Sequence, residues 1–347
     1  MTSEIEPVRW GIAGPGAIAG VFAEALKESA SGVVARVLSR SPERAAAFAA
    51  RHGGEAARDL EELAGDPRVE AVYVATPHPQ HAPVVEAALE AGKAVLCEKP
   101  LTSSARATER LLELPRRSLL AEAWMYRFHP LIERLIEQLQ FLRPRRMRSW
   151  FCFEAPWNPE GRLFAPELGG GAILDIGGYP VSLALLAARA LGEEAWDRPR
   201  VEEVEARLAP TGVDGTARAR LRWPSGFEAE VEASIQEERG CGAEFLGEDL
   251  PLSGSNWLSV AEPFLPEGKR RGRLGILRVK CGCLICPYPV KSDLDCYGLE
   301  AREFARALRS GATELEWPRV GLEETRAIAR LLQAWREAAG AAPTPED

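Results

Sequence analysis

Positive charge is nowhere concentrated along this 347-residue sequence: 43 Lys and Arg are dispersed among 51 Asp and Glu, for a formal net charge of −8. Without a basic face there is no footprint for nucleic acid, and the acidic balance disfavours anionic membranes. No apolar run approaches the roughly 18 residues needed to span a bilayer. The start, MTSEIEPVRWGIAG, has no basic region ahead of a long apolar core, so no signal peptide is expected. Cysteines number seven, an odd count in a chain too large to need stapling, and reduced thiols in a cytoplasmic protein are expected. No internal repeat or low-complexity stretch is found. What remains, 46% hydrophobic and 27% charged residues over a length suited to two domains, is the profile of a soluble globular protein.

The first third alternates strand and helix. Apolar runs VRWGIAG, VVARVLS (33–39), VEAVYVAT (69–76), KAVLCEK and RSLLAEAW read as strands. Between them lie helical patterns with capping signals, such as Ser41 then Pro42 at a start and Gly53 at a stop. This order predicts a parallel sheet covered on both faces, an α/β unit over residues 1–123.

The turn after the first strand is Gly14-Pro15-Gly16-Ala17-Ile18-Ala19, a G-x-G-x-x-A pattern. Gly14 permits the tight turn, Gly16 lets a pyrophosphate approach the backbone, and Ala19 lets the helix pack on the sheet. Following a strand and opening a helix, the pattern marks a dinucleotide site. At the end of the second strand such sites carry an acid for the ribose 2′-hydroxyl. Here that acid is missing. Ser39, Arg40 and Ser41 stand there, with Arg44 one helical turn on, and guanidinium groups suit a 2′-phosphate. NADP is expected in preference to NAD.

Further along come VATPHPQHAPV and CEKPLTSS, then EAWMYRFHP (122–130) and RLFAPELGGGAILDIGGYP (162–180). Together with the Gly-rich turn, these resemble the glucose–fructose oxidoreductase/inositol dehydrogenase family. The D-x-G-x-Tyr form, Asp175 to Tyr179, is similar to the branch with dimeric dihydrodiol dehydrogenase and NADP-dependent D-xylose dehydrogenase. The resemblance implies a Rossmann domain followed by an α/β domain with an open, mostly antiparallel sheet. It implies hydride transfer between NADP and a secondary alcohol of a sugar, cyclic polyol or dihydrodiol. The alternatives are reduction of a keto or anhydro sugar on the same site, or a non-catalytic regulatory protein.

In that frame Lys99 and Tyr179 are the catalytic pair. A phenol titrating near 10 is a poor base at neutral pH, and a nearby ammonium would lower its pKa; either residue is left open as the proton acceptor. The resemblance implies substrate contact by Asp175, which also suits an N-cap. Trp124 and Trp157 are candidate walls of a sugar pocket. Thr76, with Pro77 beside it, and Glu98 match positions along the nicotinamide ribose, while His81 and Arg127 match positions near the cofactor. His129 is expected to be structural. The Lys99–Pro100 bond is expected to be cis.

After Trp124, MRSWFCFEA, VEEVEARLA, GTARARLRW and GFEAEVEASI alternate apolar and polar residues, as in an antiparallel sheet with one packed face. Residues 124–340 are read as a substrate and oligomerisation domain, its closing helices returning toward the first, with 341–347 as a disordered tail. The family resemblance implies a homodimer through the open face. Cys281, Cys283, Cys286 and Cys296 are close enough to suggest zinc, but their spacing is not a standard knuckle, and buried thiols are favoured.

Overall fold

The computed structural model describes residues 5–247, 256–261, 274–281 and 284–346. In chain order the first region comprises β1 (Val8–Ala13), α1 (Ala17–Ser29), β2 (Gly32–Leu38), α2 (Pro42–His52), β3 (Glu55–Ala57), α3 (Leu60–Gly65), β4 (Ala71–Val74), α4 (His81–Glu90), β5 (Ala94–Glu98), α5 (Ala105–Glu113) and β6 (Leu120–Ala123). Its strands pair in parallel in the order β3-β2-β1-β4-β5-β6. The direction of winding reverses between β1 and β4, and a crevice opens there at the carboxyl ends of the strands. Side chains start the helices locally: Ser41 accepts from Arg44 N at 3.3 Å, Asp59 from Glu62 N at 2.8 Å, and Ser104 from Ala107 N at 3.1 Å. Gly14 has φ +88°, and a Cβ there would stand 2.7 Å from the carbonyl oxygen of Ala75, so both conformation and space demand glycine.

The second region begins with α6 (Leu131–Leu142), which the alternating pattern after Trp124 did not announce. It buries Leu131, Ile132, Leu135, Ile136 and Leu139, a helical spacing. There follow β7 (Arg146–Glu154), α7 (Gly178–Leu191), β8 (Arg200–Leu208), β9 (Asp214–Arg222), β10 (Glu228–Ser234), β11 (Gln236–Gly247), β12 (Asn256–Ala261), β13 (Leu274–Cys281) and β14 (Leu284–Lys291). These strands form a sheet in the order β14-β13-β12-β11-β7-β10-β9-β8. Only the β7–β10 pairing is parallel among the described residues. One face packs on α6 and α7 in a shared core. The opposite face carries ion pairs, including Arg148–Glu230 at 3.0 Å, Arg220–Glu203 at 2.7 Å and Arg222–Glu228 at 3.0 Å.

Contrary to the sequence reading, one stretch does have the length and apolar composition to cross a bilayer: Pro166–Leu191, which ends in α7. Its most apolar window is entirely buried within the protein. A helix apolar on every side belongs inside a core as readily as in lipid.

The chain then returns to the first sheet. α8 (Cys296–Arg309), capped by Asp295 on Gly298 N at 2.8 Å, places Phe304 against Trp10 with ring centroids 4.9 Å apart. α9 (Leu322–Ala338) packs beside α5 and α7. The tail expected to be disordered is held in place as far as Glu346. Its carboxylate accepts from Ser103 N at 2.6 Å, and its carbonyl accepts from Ser104 Oγ at 3.0 Å. Ala342 N donates to Gly212 O at 2.9 Å. Its polar residues find partners on the loop after β5, which composition alone does not reveal.

Between β7 and α7, Gly171 adopts φ +115° and lies against Asp214, whose Oδ2 accepts from Ile173 N at 2.6 Å. Burial raises the Asp214 carboxyl to about 7, against the lowering effect of these backbone hydrogen bonds. A folded-state pKa raised above the unfolded value means stability is complete below the unfolded pKa and is lost as pH rises through the folded one. Raising the pH from about 5 to about 8 should therefore lower the melting midpoint by about 5 °C. Asp214→Asn should flatten that decline, as measured by thermal unfolding across the pH series.

Candidate active site

Three pieces of chain converge at the crevice. β5 ends in Glu98 and delivers Lys99, whose bond to Pro100 is cis. Lys99 Nζ donates to the backbone carbonyl of Asp175 at 2.6 Å and stands 4.9 Å from the centroid of the Tyr179 ring. Asp175 lies in a π-helical turn, Ile173–Gly177, directly before α7. Such turns displace the backbone from α-geometry and recur at functional sites. Tyr179 follows in the first turn of α7 and is 7% exposed. Its ring meets Trp124 edge-on at 5.4 Å and Phe151 at 5.3 Å, and its hydroxyl lies 3.8 Å from Met125 Sδ. Gly178 makes room for the indole, since a Cβ there would meet Trp124 at 2.5 Å.

The charges in this cleft are driven apart. Burial raises Tyr179 well above 10, and the carboxylates of Glu98, Asp175 and Glu300 push the same way. The expected lowering by Lys99 is therefore overturned: Lys99 faces the ring, and desolvation dominates the hydroxyl. Asp175 moves oppositely. Burial would raise it, but the charges of Lys99 and Arg162 and a 2.7 Å ion pair with Arg162 Nη1 hold it below the usual carboxylate range. Glu98 is raised by burial, in spite of Lys99 and a hydrogen bond from the Tyr73 hydroxyl. His78 is pushed down to about 3 by desolvation and by His81, with its Nδ1 3.3 Å from Gly169 O.

The residues expected at a dinucleotide line the neighbouring end of the crevice. Gly14, Gly16, Ala17 and Ile18 form the turn and the start of α1. A Cβ on Gly16 would project into open space, leaving the backbone approachable. Thr76 Oγ1, beside Pro77, is buried with no partner among the described residues. Arg40 and Arg44 are exposed beyond Ser39, and Arg44 Nη2 reaches Pro15 O at 3.5 Å, bringing its charge to the Gly-rich turn. An open glycine backbone, an orphaned hydroxyl and nearby guanidinium groups fit a phosphorylated dinucleotide.

Arg127 does not belong to that end. It is 1% exposed: Nε donates to Pro318 O at 2.8 Å, Nη1 to Ser182 O at 2.9 Å, and Nη2 pairs with Glu324 at 2.9 Å. With each nitrogen committed to the interior, the expected cofactor contact is replaced by a structural tie. His81 is also buried, with Nε2 2.8 Å from Thr76 O and Nδ1 3.0 Å from Pro100 O. It steadies the two loops flanking the crevice and is not itself in it. His129 Nδ1 accepts from Leu131 N at 3.0 Å, a helix-start contact.

Trp124 walls the site from behind Tyr179, whereas Trp157 lies farther out, 51% exposed and 4.7 Å from Phe164. Cys281, Cys283 and Cys286 lie outside the described side chains, and Cys296 is a buried residue of α8. Sequence reasoning missed Arg162 and His78. Arg162 sits in the quoted stretch before the glycines, but nothing in its spacing shows that it folds back on Asp175.

Two sequence-family descriptions match the chain: an oxidoreductase family with an NAD-binding Rossmann fold over residues 8–120, and a GFO/IDH/MocA C-terminal domain over residues 131–250. A trans-1,2-dihydrobenzene-1,2-diol dehydrogenase from Mus musculus is 31% identical, covering 96% of this chain and 97% of that one. A D-xylose 1-dehydrogenase (NADP(+)) from Haloferax volcanii is 32% identical over 88% and 89% of the two chains. Among solved structures, a 3-ketoreductase from Actinomadura kijaniata, in complex with NADP and TDP-benzene, superposes with a TM-score of 0.83 at 26% identity, covering 98% and 99%. With both regions matched and these relatives alike over nearly their whole length, the chain belongs to the glucose–fructose oxidoreductase/inositol dehydrogenase (Gfo/Idh/MocA) family of oxidoreductases.

Proposed function

We propose that the protein is an NADP-dependent oxidoreductase interconverting a secondary alcohol of a sugar, cyclic polyol or dihydrodiol with the corresponding carbonyl compound. The observation that carries this reading is the placement of Lys99 Nζ between the Asp175 carbonyl and the Tyr179 ring at the crevice. The dinucleotide, when bound, takes up or supplies the hydride. Lys99 holds the substrate oxygen through its ammonium, and Tyr179 exchanges the hydroxyl proton with it. Asp175, kept ionised beside Arg162, accepts hydrogen bonds from neighbouring substrate hydroxyls. Trp124 excludes water behind the phenol. Thr76, Pro77 and Glu98 flank the nicotinamide ribose, and Arg40 and Arg44 take the 2′-phosphate.

Burial favours the neutral phenol at Tyr179, the form that gives up a proton when a carbonyl is reduced. A neutral phenol is ready to give its proton to an alkoxide, whereas alcohol oxidation must first remove that proton. The 3-ketoreductase neighbour is consistent with this direction. We further infer a cytoplasmic homodimer joined through the open sheet face, a reading supported by the family resemblance and by buried thiols such as Cys97 and Cys152.

A panel of aldoses, inositols, dihydrodiols and keto sugars, followed by the absorbance of reduced nicotinamide, tests the reading directly. Tyr179→Phe should lower turnover by roughly 10²–10⁴ while leaving NADP affinity nearly unchanged. Substantial residual activity with an unshifted pH profile would transfer the proton step to Lys99. Lys99→Met should also abolish most turnover, and the double variant should be scarcely worse than either single one, because the two act as a unit.

Arg40→Ala should raise the NADP dissociation constant about tenfold and barely change that for NAD, reflecting one lost charge-assisted contact. Equal weakening of both cofactors, measured by fluorescence titration, would remove the 2′-phosphate assignment.

A further inference from the structure

Glu122 is absent from the chemistry described so far, yet it is a buried carboxyl immediately behind it. It lies in β6, directly opposite Cys97 of β5 in the register. Its Oε1 accepts from Leu101 N at 2.8 Å, and its Oε2 accepts from Thr325 Oγ1 of α9 at 2.8 Å. Leu101 N belongs to the peptide unit that follows Pro100, and the carbonyl of that same unit faces His81 Nδ1 at 3.0 Å. The peptide just beyond Lys99–Pro100 is thus held at its N–H by Glu122, while its C=O packs against the His81 ring.

The hold continues beyond Thr325. Its neighbour Glu324 pairs with Arg127, and Arg127 Nη1 donates to the carbonyl of Ser182 at 2.9 Å and its hydroxyl at 3.0 Å. Ser182 lies three residues after Tyr179 on α7, and its Oγ also meets the Tyr126 hydroxyl at 2.8 Å. An interior path therefore runs from the Lys99 loop through Glu122, Thr325, Glu324 and Arg127 to the tyrosine helix, with every member buried.

We propose that Glu122 is a positioning residue for Lys99 and, through Thr325 and the Arg127–Glu324 pair, sets the separation between Lys99 and Tyr179. This rests on the reading of those two residues as the reacting pair. The other groups facing Glu122 are Glu324 of α9, whose charge raises it, the Cys97 thiol of β5 and the Trp124 indole. Burial, chiefly, lifts Glu122 to about 7. The grip survives either protonation state, because the Thr325 hydroxyl can donate to a carboxylate or accept from a carboxylic acid. A glutamine meets the same demands: its carbonyl oxygen accepts from Leu101 N and its amide donates to Thr325.

The test compares Glu122→Ala, Glu122→Gln, Thr325→Val and Thr325→Ser in the full-length protein, with circular dichroism and melting curves confirming that each folds. Glu122→Ala and Thr325→Val should lower kcat about tenfold or more, while KM and the NADP dissociation constant stay within about twofold, as misplacement of a reacting group predicts. Glu122→Gln and Thr325→Ser should retain most of the turnover. Hydrogen–deuterium exchange over residues 96–104, without substrate or cofactor, should speed up in Glu122→Ala and not in Glu122→Gln.

A folded Glu122→Ala or Thr325→Val whose exchange and kcat match the parent overturns the proposal. So does an equal loss in Glu122→Gln. If Glu122→Ala does not fold, Thr325→Val decides. If the parent turns over none of the polyols or keto sugars, the catalytic reading fails by itself, and the exchange comparison still decides whether Glu122 holds the loop.

Discussion

Lys99 spends a hydrogen bond on a carbonyl that belongs to the other half of the molecule, and the surrounding architecture is arranged to let it do so. The donor comes from the end of a strand in the parallel sheet; the acceptor, Asp175 O, comes from a π-helical turn in front of α7. Neither half could form the site alone. The parallel sheet aims the lysine out of its carboxyl edge, where α/β sheets bind ligands. The second region supplies the phenol, the paired Asp175 and Arg162, and the aromatic wall.

The cleft also separates its titrating groups. Asp175 is held charged by Lys99 and Arg162 against the pull of burial, while Tyr179 and Glu98 are driven toward their neutral forms. Environments that push neighbouring groups in opposite directions are how acid and base roles are assigned within one site. Here they give a permanent acceptor beside a proton donor, around a fixed cation. That combination suits a substrate with several adjacent hydroxyls and one reacting carbon.

Much of this was legible in the sequence, because the relevant signals are local. Gly14 and Gly16 announce a turn through steric requirements that any reader of the chain can state, and the missing acid near Arg40 is a one-position observation. The strand–helix alternation of the first third is a periodicity, and so is the half-buried alternation of β9. What could not be read depends on residues far apart. Arg127 was placed near the cofactor by the family resemblance, and its actual partner Glu324, 197 positions away, leaves no local signal. Arg162 folds back on Asp175 through a loop without periodicity. The tail looked disordered because its stabilising contacts are made by Ser103 and Ser104. The direction of the Tyr179 shift was misjudged because desolvation is a property of the packed site, and a sequence contains no burial.

The return of α8 to the first sheet bears on how the chain assembles during synthesis. Trp10 of β1 lies under two helices, with Phe22 of α1 on one side at 5.1 Å and Phe304 of α8 on the other at 4.9 Å between ring centroids. All six strands leave the ribosome well before that helix exists. Until α8 is made, the side of the Trp10 indole that Phe304 covers is open to water, an apolar surface of the kind that self-associates. The helix that completes the cover of the first sheet thus begins at Cys296, well over a hundred residues after β6 ends at Ala123, and a translational pause between the two would prolong the exposure.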